Sequence, residues 1–224
     1  MTYEDQFRHV IERLSTKYEV KDILLPTSNC IFLLESPHVQ ELKFGAPVSG
    51  TSGQTMTRHL FGEEFAKFPL GRLVKKNADD HLNRPRLSRI GLVNVCNIPM
   101  QSSAYAPADR QQYLQWLRAM EQVRTANHKD DLRDDLLNAV QSTLVASLRH
   151  KLQLLQDRPA FMIPCGRFAQ KFFRLAQVSS ANWTVIDGVP HPSYNSWDRP
   201  RYREVVSQVQ RALETSVIYQ QASS

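Results

Sequence analysis

A chain of 224 residues suits a single domain, since domains run to about 100–200 residues and α/β domains often exceed that. Its 42% apolar content fills a core and its 22% charged content is ordinary, which excludes a disordered tail, a fibre and a disulfide scaffold. Lysine and arginine outnumber aspartate and glutamate by 28 to 22, giving +6 and a pI near 9.3, a balance that permits a polyanionic partner.

No run reaches the roughly 18 apolar residues of a transmembrane helix, so no membrane contact is expected. The start, Met1-Thr2-Tyr3-Glu4-Asp5, lacks the basic and apolar regions of a signal peptide. Three cysteines (Cys30, Cys96 and Cys165) cannot all pair, and each lies in or beside an apolar run. Buried reduced thiols in a cytoplasmic protein are the expectation.

Thr2 and Asp5 resemble a capping box with Asp in the Glu/Gln place. Phe7, Val10, Ile11 and Leu14 follow at helical spacing, which predicts an amphipathic helix over 3–17. Cys30-Ile31-Phe32-Leu33-Leu34 is a continuous apolar run between turn signals, the pattern of a strand buried on both faces. Residues 45–53 form a small-residue loop, with a helix expected from about Ser52. Residues 71–89 read as polar and basic. Residues 90–96 predict a second buried strand.

A long helical insertion is expected over about 109–156, with Asp109 as its cap. Within it a second helix has Leu132, Leu136, Leu137, Val140, Leu144, Leu148, Leu152 and Leu155 in a nearly heptad seam, which reads as core packing rather than a coiled coil. Residues 160–165 predict a third strand, and Gly166 turns into a helix. Residues 183–187 predict a fourth strand. A final helix over about 201–219 turns Val205, Val206, Val209, Leu213 and Val217 inward. Strands separated by helices predict an α/β fold, a three-layer α/β/α sandwich around a mainly parallel four-stranded sheet. Ligands bind such sheets at the carboxyl ends of the strands.

Several strand ends carry polar groups that a core does not need. Glu35 follows four apolar residues directly; a solvated strand terminus is the alternative reading. Asn94 interrupts an apolar strand, where an unbonded amide costs a few kcal/mol; a structural amide bonded to a loop is the alternative. His191 sits between Pro190 and Pro192, which looks like the positioning of an imidazole, against a rigid turn with an incidental histidine.

Together these residues resemble the uracil-DNA glycosylase superfamily. Leu34-Glu35-Ser36-Pro37-His38 is similar to its first motif, Gly-Glu-Ala-Pro-Gly in the family 4 type. Gly45-x-Pro47-x-x-Gly50-x-x-Gly53 resembles that type's glycine loop. Asn94 is similar to the strand-end Asn that reads the base, and His191-Pro192-Ser193 matches the second catalytic motif. Cys165-Gly166 resembles the Leu-Gly that closes the third strand. The likeness spans about 30–200.

The resemblance implies a DNA glycosylase that hydrolyses the N-glycosidic bond of a flipped-out pyrimidine and leaves an abasic site. It implies His191 as donor to the leaving base and Glu35 as the group that positions or deprotonates water. Asn94, His38, Val48 and Ser49 would contact the base. Ser52 and Ser193 would bond phosphates, Tyr194 and Trp197 are candidate wedges, and Arg199 and Arg201 would bind the DNA backbone, as would Arg203, Lys75 and Lys76. DNA, duplex or single-stranded, is the expected partner, and a monomer is expected.

The departures are specific. Family 4 enzymes hold an iron–sulfur cluster on four cysteines; the three here have no close spacing, so no cluster and no other cofactor or metal is expected. Ser36 stands where other families place an Asp. Uracil-specific relatives carry a Tyr at the place of His38 and a Phe in the next loop, where this chain has Val48-Ser49. A pocket roomier near C5 follows, which points to a 5-modified cytosine, hydroxymethylated or glucosylated, in phage DNA and to antiviral defence. No lysine in the matched motifs can form a Schiff base, so the enzyme reads as monofunctional. The alternatives are a uracil-excising repair enzyme, an inactive DNA- or pyrimidine-binding module on the same fold, and a hydrolase of free nucleosides or nucleotides.

Overall fold

The computed structural model of the chain describes residues 1–221, with side chains to residue 215. The side chain of Val217 lies outside the described residues. Four strands form a parallel sheet: β1 (Cys30–Leu34), β2 (Ile90–Asn94), β3 (Ala160–Pro164) and β4 (Trp183–Val185), in the order β2-β1-β3-β4. The helices are α1 (Tyr3–Tyr18), α2 (Val39–Phe44), α3 (Thr51–Phe61), α4 (Leu70–Asp79), α5 (Pro85–Ser88), α6 (Pro107–Gln112), α7 (Leu114–Thr125), α8 (Asp135–Gln153), α9 (Gly166–Ala176) and α10 (Arg203–Gln221).

Every residue of β1 and β2 is buried, because helices cover both faces, which is why β1 is apolar throughout and β2 is apolar up to Asn94. Successive side chains point to opposite faces. Ile31, Leu33 and Val93 pack with Phe7 of α1, Met120 of α7, Leu148 of α8 and Phe172 of α9. Cys30, Phe32, Leu34 and Leu92 pack with Met56 of α3, Val74 of α4 and Val209 of α10. This is the three-layer α/β/α sandwich expected from the sequence.

The capping box on α1 forms as read: Asp5 N–H donates to Thr2 Oγ1 at 3.2 Å and Thr2 N–H to the Asp5 carboxylate at 3.1 Å. The long helical insertion, read as two helices, forms as α6, α7 and α8. Pro107 starts α6, Tyr113 leaves helical geometry (φ −109°, ψ 21°), and α7 ends at Thr125 before the polar run 127–134. Asp134 then caps α8 by accepting from Leu137 N–H at 2.9 Å. Asp109 is no cap: it lies inside α6, where Tyr18 Oη donates to it at 2.6 Å and Lys17 at 3.1 Å. The leucine seam of α8 packs on α1, α7 and α9 within the chain. Helix α4 was hidden in the basic stretch because only Leu70, Gly71, Val74 and Asn77 are buried on it. Strand β4 is shorter than expected, though Ile186 N–H still bonds Met162 O at 2.9 Å.

The chain moves from β1 to β2 on one side and to β3 on the other. A crevice therefore opens at the carboxyl ends of β1 and β3, the switch point where such sheets bind ligands. No described helix is long and apolar enough to cross a membrane.

Candidate active site

A cleft of about 1010 Å³ lies at this switch point. Glu35, His38, Val48, Ser49, Ser52, Asn94, His191, Ser193 and Tyr194 all line it. Residues far apart in sequence thus meet where the sheet topology directs them.

Glu35 leaves β1, and its backbone carbonyl accepts from Cys96 N–H at 3.1 Å. Its half-buried carboxylate is ion-paired through Oε1 with Nε of Arg124, from the last turn of α7. Oε2 has no partner among the described residues. Arg124 was not anticipated: a last-turn arginine on an amphipathic helix reads as a helix-dipole partner, and only the tertiary fold brings it across to β1.

Asn94 closes β2 and is 2% exposed. Its backbone is bonded, but Nδ2 is buried and has no hydrogen-bond partner among the described residues. The structural amide bonded to a loop is therefore not what forms. A buried donor without an acceptor costs about 1–3 kcal/mol, and here it borders a cleft.

His191 is held from both sides. Trp197 Nε1–H donates to Pro190 O at 2.9 Å, and Gln170 Nε2 donates to Val189 O at 2.9 Å. Gly166, at φ +84°, lets the loop approach, since a Cβ there would lie 2.8 Å from His191 Cβ. Ser193 N–H donates to His191 Nδ1 at 3.2 Å, with Ser193 Oγ at 2.9 Å from the same nitrogen. An acceptor Nδ1 fixes the proton of the neutral ring on Nε2. Burial pushes the imidazole pKa below its ordinary 6.5; the Glu35 charge opposes this and Arg124 adds to it. His191 is thus a neutral ring whose Nε2–H has no partner among the described residues.

The glycine loop forms the opposite wall. Val48 sits at φ +47°, a strained setting for a β-branched residue, and is buried. Packing enforces it: ideal Cβ atoms on Gly53 and Gly71 would lie 1.8 Å from Val48 O and 1.7 Å from Pro47 O. The Ser49 hydroxyl was expected at a base, yet it is buried and donates to Ala46 O at 2.7 Å, where it braces the loop. Glu41 was missed; its carboxylate accepts from His38 N–H at 3.1 Å, and burial raises its pKa against the pull of backbone N–H groups, that of Ser49 among them.

The two candidate wedges separate. Tyr194 is 90% exposed, at φ +53°, on the cleft rim. Trp197 is 2% exposed and packs edge-on to His59, so it is a core residue and no wedge. The 193–198 turn that carries both is anchored to α3 by Asp198, which accepts from Arg58 at 2.6 and 2.7 Å and lies 2.9 Å from His59 Nε2. Arg199 and Arg201 are exposed but do not line the cleft; Arg201 lies over the Tyr202 ring at 4.7 Å, and Tyr202 does line it. Lys75 and Lys76 are paired with Asp79 and Asp80, which spends much of their charge. Four cations (Lys67, Arg72, Arg124 and Arg167) line the cleft against two carboxylates, Glu35 and Glu41.

The three cysteines are buried free thiols, and burial raises all three, Cys30 to about 12 and Cys96 to about 11. Among the described residues no three His, Cys, Asp or Glu side chains gather as a metal-binding group. No protein-family model matches this sequence, and no curated protein matches it either.

Proposed function

We propose that this protein is a monofunctional DNA glycosylase that hydrolyses the N-glycosidic bond of a flipped-out pyrimidine, as members of the uracil-DNA glycosylase superfamily do. The observation that carries the reading is the convergence in one cleft of Glu35, the unpartnered buried amide of Asn94 and the neutral Nε2–H of His191.

The chemistry follows from these groups. Water held by Glu35 Oε2 attacks C1′ as the C1′–N1 bond breaks, and the electron pair leaves with the base. Glu35 takes the water's proton, which passes to the departed base. The negative charge growing on the base O2 meets His191 Nε2–H, a preorganised donor of the kind worth about 3 kcal/mol. A neutral donor suits this task, since it stabilises the anion without first giving up a proton. Asn94 Nδ2 gains the acceptor it lacks from the pyrimidine edge. Tyr194, on a rigid turn at the rim, fills the gap left in the stack.

The preferred substrate is a 5-modified cytosine, hydroxymethylated or glucosylated, in phage DNA, and the role is antiviral defence in the cytoplasm. Two features support a bulky base. The cleft stands at the top of the range of about 300–1,000 Å³ usual for small ligands. Asn127, Arg167, Gln170 and Gly188 on its wall also line a second hollow of about 770 Å³. Defined oligonucleotides followed by alkali cleavage test this. Cutting at 5-substituted cytosine is expected; cutting at uracil alone would move the reading to uracil repair.

One observation favours a second reading. Arg124 neutralises the carboxylate that the chemistry needs, which suits a pyrimidine-binding module without catalysis. Glu35→Gln separates them: an enzyme loses base release, whereas a binder keeps its affinity and never released base.

A further inference from the structure

Behind Asn94, on the outward edge of β2, two segments far apart in sequence converge on its backbone. Asp22, from the strand-like segment before β1, accepts at Oδ1 from Asn94 N–H at 2.9 Å and from Asn97 Nδ2 at 2.9 Å. Lys151 of α8 donates to Asn94 O at 2.7 Å and to Asn97 Oδ1 at 2.5 Å. Lys151 Nζ and Asp22 Oδ2 are ion-paired at 2.8 Å, with both side chains 18% exposed. Residue 22 is held there by its neighbour, since Ile23 exchanges two backbone hydrogen bonds of 2.9 Å with Leu92 of β2.

β2 is an edge strand, so its outward N–H and C=O groups need partners. Ile23 supplies them at Leu92 with ordinary backbone. At Asn94 the chain uses a half-buried charge pair instead, and desolvating two charges is costly beside a neutral hydrogen-bonding residue. What the pair adds is fixed direction. Asn94 Nδ2 has no hydrogen-bond partner among the described residues to aim it, so its aim is set by its backbone, and that backbone is gripped on N–H and C=O by charge-assisted bonds.

We propose that Asp22 and Lys151 are positioning residues that lock the base-reading amide of Asn94 toward the pyrimidine edge. The proposal rests on the glycosylase reading and extends it to two residues outside the cleft. Loosening the clamp swings the amide by a fraction of an ångström to about an ångström, a displacement that can cost about a hundredfold in rate.

The experiment is a double-mutant cycle on single-turnover base release. Duplexes carry one uracil, one 5-hydroxymethylcytosine or one glucosylated 5-hydroxymethylcytosine, and the cycle uses whichever yields most free base. Lys151→Met is expected to lose about tenfold to a hundredfold in the wild-type background. In the Asn94→Ala background it should lose under about threefold, because the group it aims is gone. Lys151→Arg should restore part of the rate. If Lys151→Met fails to fold on thermal melting, Asp22→Asn reads the same coupling, since it keeps shape and an acceptor. Equal losses in both backgrounds, or no loss from Lys151→Met, overturn the clamp and leave the glycosylase reading standing. Wild-type rates in Asn94→Ala, or base release from none of the three duplexes, overturn the clamp together with the base-reading role on which it rests.

Discussion

Replacing His191 with alanine isolates the group on which the proposed chemistry depends most. The ring accepts at Nδ1 from Ser193 N–H and lies beside Ser193 Oγ, and its Nε2–H is left to the cleft. Removing one preorganised donor to a developing oxyanion costs about 10²–10³ in rate, or about 3–4 kcal/mol. The cost to the fold is smaller, about 1 kcal/mol for the Ser193 N–H that loses its acceptor. The loss should therefore appear in kcat with KM and the melting temperature little changed.

The same ring sets a pH dependence. Its folded pKa lies below the ordinary 6.5, so the folded state prefers the neutral ring. The resulting stability is complete above about pH 6.5 and is lost as pH falls through the folded value. Protonation would also place a proton on Nδ1, facing the Ser193 N–H. Single-turnover base release from about pH 5 to about pH 8 should be flat above 6.5, with the acid limb below it. An acid limb at or above 6.5, or a His191→Ala enzyme within tenfold of wild type, would refute the donor role.

The two aromatic residues after His191 should behave oppositely. Tyr194→Ala, at a position 90% exposed, should leave the melting temperature unchanged and lower kcat/KM on duplex DNA by about tenfold or more, with under about twofold loss on a single strand that needs no wedge. Trp197→Ala should cost about 3–5 kcal/mol of stability, read as a melting drop of about 6–20 °C. A Cβ on Gly53 would lie 1.8 Å from Val48 O, against a usual contact no closer than 3.0 Å, so Gly53→Ala must displace the loop by about 1.2 Å. It should cost about 1–3 kcal/mol, measured in denaturant, and lower activity with it. Replacing Arg199 and Arg201 together by alanine should flatten the slope of log K against log salt by about 0.9 for each phosphate these side chains neutralise; an unchanged slope would place the DNA elsewhere.

The parts of this molecule legible in its sequence are those fixed by local pattern. β1 and β2 read as buried strands because helices on both faces leave no polar alternation. Glu35, Asn94 and His191 stood out because each breaks an apolar or proline-bound context at a strand end. What stayed hidden depends on distance in sequence. Arg124 reaches Glu35 across 89 residues, and Lys151 reaches Asn94 across 57; neither leaves a mark near its partner. Tyr194 and Trp197 look equivalent three positions apart, and only the fold of the 193–198 turn, with its left-handed Tyr194 and Asn195, sends one outward and the other into the core. Ser49 looked like a reader of a base because the pattern shows a hydroxyl but not the carbonyl that takes it.

Mass spectrometry of the material released from phage DNA rich in hydroxymethylated or glucosylated cytosine, beside unmodified DNA, tests the glycosylase reading most directly. The account predicts the free modified base from the wild-type protein, alkali-labile sites left in the DNA, and neither from Glu35→Gln. Release of nucleosides or nucleotides in place of free base, or no release from any of these DNAs, would contradict it.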